Sequence, residues 1–175
     1  MRTLPIVMDS IAQANLHNRV WVVDSGSTDG TIDFAKKSGA TVLHRDWDGM
    51  VGQRRFLLEQ CRGQGADWAL MLDADEWPDS ALWGAVAKLM KEDPPDTVGA
   101  EVHRQLMVHG MPLNFVCQPE RRLRLVRPEH SSVAGSCGDQ AEGIHDRIQV
   151  EGKTIRLPGK LCLLYTSDAA DDTRS

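Results

Sequence analysis

Three carboxylates fall within four residues, at Asp73, Asp75 and Glu76, directly after the apolar run from Trp68 to Leu72. A short apolar run of this kind reads as a strand buried on both faces. A buried strand that ends abruptly in acids sets them at the C-terminal edge of a sheet, where open α/β sheets bind ligands. Alternation along an extended chain points Asp73 and Asp75 to the same side. Two carboxylates on one side repel each other unless a cation lies close by. Mg2+ or Mn2+ suits that role, because hard oxygen ligands suit hard ions and Mg2+ links carboxylates to substrate phosphates. The competing reading is a solvated acidic turn. A second strand, Arg19 to Asp24, also ends in an acid and passes into the polar loop Ser25-Gly26-Ser27-Thr28-Asp29-Gly30. Thr28 and Asp29 both suit the cap of the helix that follows.

The elements that must position these acids alternate. Leu4 to Ala14 places Leu4, Val7, Met8 and Ile11 on one helical face. The strand to Asp24 is followed by a helix over 31–37, a stop at Gly39 and a strand from Ala40 to Leu43. A helix from Met50 to Cys61 ends near Gly63 and Gly65, and the strand from Trp68 to Leu72 follows. Pro78, Asp79 and Ser80 begin a helix that runs from 81 to 91. This order predicts an α/β fold with a mostly parallel sheet flanked by helices. Beyond Pro95, segments 98–108 and 121–126 alternate more and carry many arginines, which predicts strands of a less regular second half. Arg121, Arg122, Arg124 and Arg127 suit phosphate or carboxylate groups, or else a solvated basic face.

The length of 175 residues suits one domain with a sizeable core. A net charge of -5 supplies no basic field for nucleic acid. No apolar run approaches the roughly 20 residues that span a bilayer. Cys61, Cys117, Cys137 and Cys162 form no Cys-x-x-Cys pair and read as reduced thiols of a cytoplasmic protein. Units of this type open on a strand, whereas this chain opens on a helix, so the expectation is that a first strand is missing. Residues 1–161 are expected to form one domain. The run from Cys162 to Ser175 is similar to translated sequencing-adapter tails, and 162–175 is expected to be a non-native tail; the other reading is a flexible acidic tail.

Five blocks together resemble a known family. They are 22–31 (Val-Val-Asp-Ser-Gly-Ser-Thr-Asp-Gly-Thr), 45–49 (Arg-Asp-Trp-Asp-Gly, with Gln53 following), 72–76 (Leu-Asp-Ala-Asp-Glu), 124–127 (Arg-Leu-Val-Arg) and 144–146 (Ile-His-Asp). The chain resembles inverting family 2 glycosyltransferases of the GT-A fold, and among them the subgroup that adds sugars to the lipopolysaccharide core. The first and third blocks in one chain carry most of that specificity.

The resemblance implies a nucleotide-diphospho-sugar donor and a glycan or lipid-linked glycan acceptor. Asp24 and Ser25 would meet the base or ribose, since a strand-end carboxylate beside glycines can accept such hydrogen bonds. Asp75 would bind Mg2+ or Mn2+ directly, while Asp73 would contact ribose or reach the ion through water. Gln53, Arg124 and Arg127 would lie near the donor. Asp146, beside His145, would take the acceptor proton, at a position where the family more often has glutamate. The implied location is cytoplasmic, with possible peripheral contact at the inner membrane face. Two other readings stay open. A sugar-phosphate nucleotidyltransferase would want a glycine-rich N-terminal loop, and none is visible. An inactive or nucleotide-binding-only fragment is the other.

Overall fold

The computed structural model describes residues 3–14, 20–108, 110–113, 120–135 and 146–164. Four helices, α1 (Leu4–Gln13), α2 (Thr31–Lys37), α3 (Met50–Gly63) and α4 (Ser80–Glu92), accompany ten strands. The strands are β1 (Trp21–Asp24), β2 (Thr41–His44), β3 (Ala69–Leu70), β4 (Glu76–Pro78), β5 (Thr97–Val108), β6 (Met111–Pro112), β7 (Glu120–Val126), β8 (Ser131–Gly135), β9 (Asp146–Val150) and β10 (Lys153–Leu164).

Local chemistry accounts for the helix boundaries. Pro5 sits in the first turn of α1, where its missing N–H costs nothing, and Leu4, Val7, Met8 and Ile11 are buried as the spacing predicts. Asp79 caps α4 by accepting from the Leu82 N–H at 2.7 Å. Leu82, Val86 and Leu89 then form the buried stripe of α4. Each such side chain contributes about 1.5–3 kcal/mol on burial.

The sheets are mixed rather than mostly parallel. β1 and β2 pair in parallel, with Asp24 opposite His44. A larger sheet runs β3-β7-β5-β10-β4, with β6 on β5. Within it β5 and β10 are parallel. β7 is antiparallel to both β3 and β5, and β4 is antiparallel to β10. The alternating, arginine-bearing pattern of β5 and β7 is the mark of such antiparallel strands, which need no helical crossover between them. The strand expected over 68–72 forms ladder pairs only at Ala69 and Leu70. It continues as extended chain, with the Met71 N–H bonded to the Arg124 carbonyl at 2.8 Å.

Three apolar clusters hold these layers together. One joins α4 to β5, β7 and β10 through Leu82, Val86, Val102, Leu125 and Leu161. A second packs α3 on β3, β7, β8 and β9 through Leu58, Ala69, Met71, Val126, Val133 and Ile148. The third seats α1 on α2 and the β1–β2 pair. β10 bends at Gly159, where an added Cβ would lie 2.2 Å from the Leu82 nitrogen. Only glycine lets the strand approach the start of α4 this closely.

The boundary expected at 161/162 falls inside β10. Cys162 and Leu163 pair with Trp77 and Glu76 on one side and with Gln105 and Leu106 on the other, and Cys162 is buried. Residues 165–175 lie outside the described residues. Deleting 162–175 should therefore lower the melting temperature by about 5 °C, as expected for the loss of one to two kcal/mol. Restoring only 162–164 should recover it; an unchanged melting curve for the deletion would show that these strand pairs contribute nothing.

Candidate active site

The site is assembled on two consecutive residues of α3. Gln53 reaches towards the end of β1, donating from Nε2 to Ser25 Oγ at 3.3 Å and to the Asp46 carbonyl at 3.0 Å. Arg54 reaches towards the end of β3, donating from Nη2 to Asp73 Oδ1 at 2.5 Å. Both side chains are buried. The two acid-ended strands therefore converge on one helix, although residues 24 and 73 lie far apart in sequence.

Asp73 receives a second guanidinium. Arg124, on β7, donates from Nη2 to Asp73 Oδ2 at 2.9 Å and to Glu76 Oε1 at 2.8 Å. Glu76 is fully buried. Its Oε2 accepts the Asp73 N–H at 3.2 Å, while its own N–H donates to the Asp73 carbonyl at 3.0 Å. Arg104 Nη1 lies 3.8 Å from Glu76 Oε1. Arg104 also pairs with Glu120, which pairs with Arg122. The chain thus turns sharply from Asp73 to Glu76. Asp73 and Asp75 share one hollow because of this turn, and strand alternation plays no part.

That hollow has a volume of about 530 Å3 and is lined by Thr3, Met50, Asp73, Ala74, Asp75 and Leu164. Its size suits a small-molecule ligand. Burial, followed by the charges of Asp73 and Glu76, pushes the Asp75 carboxyl above its ordinary range. No ion pair to Asp75 is found among the described residues. Each oxygen of Asp73 accepts from one arginine, whereas Asp75 carries none among the described residues, so Asp75 is the acid of this turn more open to a Mg2+ or Mn2+ ion. Among the described residues no three His, Cys, Asp or Glu side chains group closely enough to hold a metal by themselves. A single carboxylate still fits Mg2+, which usually takes one or two carboxylates and completes its shell with water and phosphate oxygens.

Asp24 behaves as a loop-forming acid. It is 5% exposed, and its Oδ2 accepts the Gly26 and Ser27 N–H groups at 2.8 and 3.0 Å. Burial works against its charge, but hydrogen bonds from Ser27 and Gly26 together hold its carboxyl below the ordinary range. These bonds fix the shape of the 24–27 loop. Asp29 accepts from the Thr31 N–H and hydroxyl at the start of α2, but the N-cap position itself is Gly30, in a left-handed conformation, rather than the Thr28 or Asp29 expected.

The neighbouring loop 45–49 is pinned at several points. The Arg45 N–H bonds the Asp24 carbonyl at 3.0 Å, and Arg45 pairs with Asp48 while lying over the Phe56 ring at 5.1 Å. Asp48 packs so tightly on Gly52 that a Cβ there would meet its carboxylate at 2.1 Å. Trp47 stands at the rim of this loop with 62% of its surface exposed.

Arg127, expected beside the donor, lies elsewhere. Antiparallel pairing sets Val126 against Ala69, so Arg127 falls at the opposite end of β3 from Asp73. It stacks on Trp68 at 4.4 Å and donates to Asp93 at 2.7 Å and to the Thr97 carbonyl at 2.9 Å. Its partners there are structural. His145 lies outside the described residues. Asp146 is placed by its backbone, which opens β9 opposite Gly135. Gly135 in turn lies against Val51 in the first turn of α3, next to the cavity-lining Met50. Sequence reading did not single out Arg104, and it gave Glu76 only as one of three clustered acids. No spacing signal marks either, because their partner strands are distant in sequence.

The family profile described as Glycosyl transferase family 2 matches residues 2–112. The chain belongs to this family, and its α/β fold is of the GT-A type. It is 33% identical over 137 residues to the lipopolysaccharide core biosynthesis glycosyltransferase LpsC of Rhizobium meliloti, a match covering 75% of this chain and 47% of that protein. It is 30% identical over 152 residues to an uncharacterised glycosyltransferase of Rickettsia typhi, covering 86% of this chain and 50% of the relative. A TPR repeat-containing protein of Synechococcus elongatus is 32% identical over 120 residues, covering 66% of this chain and 28% of that protein. The chain spans about half the length of the first two relatives.

Replacing Asp73 by Asn should be strongly destabilising, by about 3–5 kcal/mol, because it takes the shared negative charge away from two buried guanidinium groups. Thermal unfolding would show a drop of about 10 °C or more. A melting temperature within two degrees of the parent, on the same scale, would mean the pairs are weak.

Proposed function

We propose that this chain carries the nucleotide-sugar site of an inverting glycosyltransferase. The supporting observation is the bridge made by Gln53 and Arg54, which ties the loop after Asp24 and the Asp73–Glu76 turn to neighbouring positions of one helix, with the hollow beside Asp75 open next to that turn. The 24–27 loop shapes the nucleoside end of the donor. The diphosphate lies in the hollow beside Asp75. Arg54 and Arg124 hold the turn in place through Asp73. Asp75 would hold a Mg2+ or Mn2+ ion, which when bound supplies positive charge to the departing nucleoside diphosphate.

In the transfer step an acceptor hydroxyl attacks the anomeric carbon, and the bond to the phosphate oxygen breaks on the opposite face. Asp146 takes the hydroxyl proton, and the leaving nucleoside diphosphate keeps the bonding electron pair. Support for Asp146 is its strand position opposite Gly135, against the first turn of α3. The likeness to LpsC supports a lipopolysaccharide-core or other cell-envelope glycan acceptor. No helix among the described residues is long and apolar enough to cross a membrane. We place the reaction in the cytoplasm, with a lipid-linked acceptor met at the inner membrane face.

Calorimetric titration with UDP, GDP, ADP and dTDP, with and without Mn2+, tests this reading. One nucleotide should bind, and Mn2+ should tighten it by about tenfold or more. Asp75→Ala should abolish the effect of Mn2+ and leave the melting curve close to the parent. Absence of binding by any nucleotide under either condition would overturn the proposal.

A further inference from the structure

The arginines around the acidic turn engage two of its three acids. Three guanidinium groups, those of Arg54, Arg104 and Arg124, face Asp73 and Glu76, and Arg104 pairs more closely still with Glu120. Asp75, the remaining acid of the turn, lines the hollow with no arginine on it among the described residues. The position of Glu76 explains why. Its carboxylate is fully buried. One oxygen closes the turn on the Asp73 N–H, and the other faces both Arg124 and Arg104. Its backbone is fixed by the pairing of β4 with β10, where Glu76 lies opposite Leu163. A buried acid held this firmly keeps Arg124 and Arg104 on itself, and neither arginine is among the residues that line the hollow.

We propose that Glu76 is the positioning residue of this site: it locks the turn that presents Asp75 and occupies Arg104 and Arg124, so that Asp75 stays available to a divalent cation. The second half rests on the donor-site reading above; the lock on the turn does not. Without the Glu76 charge, Arg124 keeps Asp73 and Arg104 keeps Glu120, and Asp75 is the one other carboxylate of the turn that either can turn to. An arginine on Asp75 would then compete with the cation for the same oxygens. A purely structural role for Glu76 would instead weaken the fold without any particular effect on cation binding.

The test compares the full chain with the variants Glu76→Gln, Glu76→Gln/Arg104→Gln and Trp68→Phe. The last removes a part-buried hydrogen bond to Asp93 and trims a buried ring at the far end of β3, and serves as a destabilised control. Mn2+ binding is read by electron paramagnetic resonance in the presence of saturating UDP, or of whichever nucleoside diphosphate binds. Glu76→Gln should weaken Mn2+ by about tenfold or more, a loss of about 1.4 kcal/mol. Trp68→Phe should lower the melting temperature and leave Mn2+ affinity unchanged. The double variant, which removes the surplus guanidinium with the acid, should recover affinity to within about threefold of the parent. It also decides the matter if Glu76→Gln alone does not fold. Unchanged affinity in Glu76→Gln, or a tenfold loss persisting in the double variant, would overturn the cation half of the proposal. Amide exchange followed by NMR tests the lock itself, with or without a nucleotide. The Asp73 N–H should exchange at least tenfold faster in Glu76→Gln, and an unchanged rate overturns the lock. A parent chain that binds no Mn2+ with any nucleotide would overturn the donor reading, while the exchange result would still stand.

Discussion

The structure depends on a carboxylate shared between two buried arginines. Asp73 closes β3, Arg54 comes from α3 and Arg124 from β7, so one side chain ties the helical layer to the sheet at the mouth of the cleft. Charges taken out of water cost several kcal/mol each unless they are paired with good geometry. Each arginine is therefore held where it is by Asp73, and Asp73 by both of them. The apolar clusters give the fold its bulk stability. This charged junction decides where the ends of β1 and β3 sit relative to each other.

The chemistry of the cleft follows from how that junction divides the acids. Asp73 and Glu76 are used inside the protein, and Asp75 is turned towards the hollow. An Asp-x-Asp pattern at a strand end is easily read as two equivalent ligands. Here the two aspartates have different work because the chain turns between them. The neighbouring 45–49 loop is anchored by the Asp24 carbonyl, by Gln53 and by the contact of Asp48 with Gly52. This anchored loop leaves Trp47 exposed to solvent. The same helix, α3, supports this loop, the Asp24 loop and the acidic turn, which explains why its buried face carries polar residues next to Leu58 and Cys61.

Much of this was legible in the residues. The four helices fall where periodicity, Pro5, the Asp79 cap and the glycine stops place them. Strands ending in acids were expected to lie near one another, and the loop after Asp24 and the Asp73 turn are both held by α3. Other expectations gave way to pairing. The mostly parallel sheet became mixed because β5 and β7 lie antiparallel. Arg124 and Arg127 belong to one four-residue block in the sequence, yet they serve opposite ends of β3, because β7 runs antiparallel to it. A foreign tail was expected from 162 onward, but Cys162 and Leu163 fill places between β4 and β5. Composition could not show that, since a strand's worth depends on what lies beside it.

The sequence by itself determined the element order, the two acid-ended strands and the family to which the chain belongs. These rest on local chemistry: periodicity, capping and motifs of a few residues. Only the tertiary structure decided which acid faces the hollow and which are spent on arginines. Glu76 meets Arg104 and Arg124 from strands that lie apart in the chain, and an ion pair between distant residues leaves no periodic trace in the sequence. It exists only once the backbone has closed around it, in surroundings where an unpaired charge would be too costly to keep.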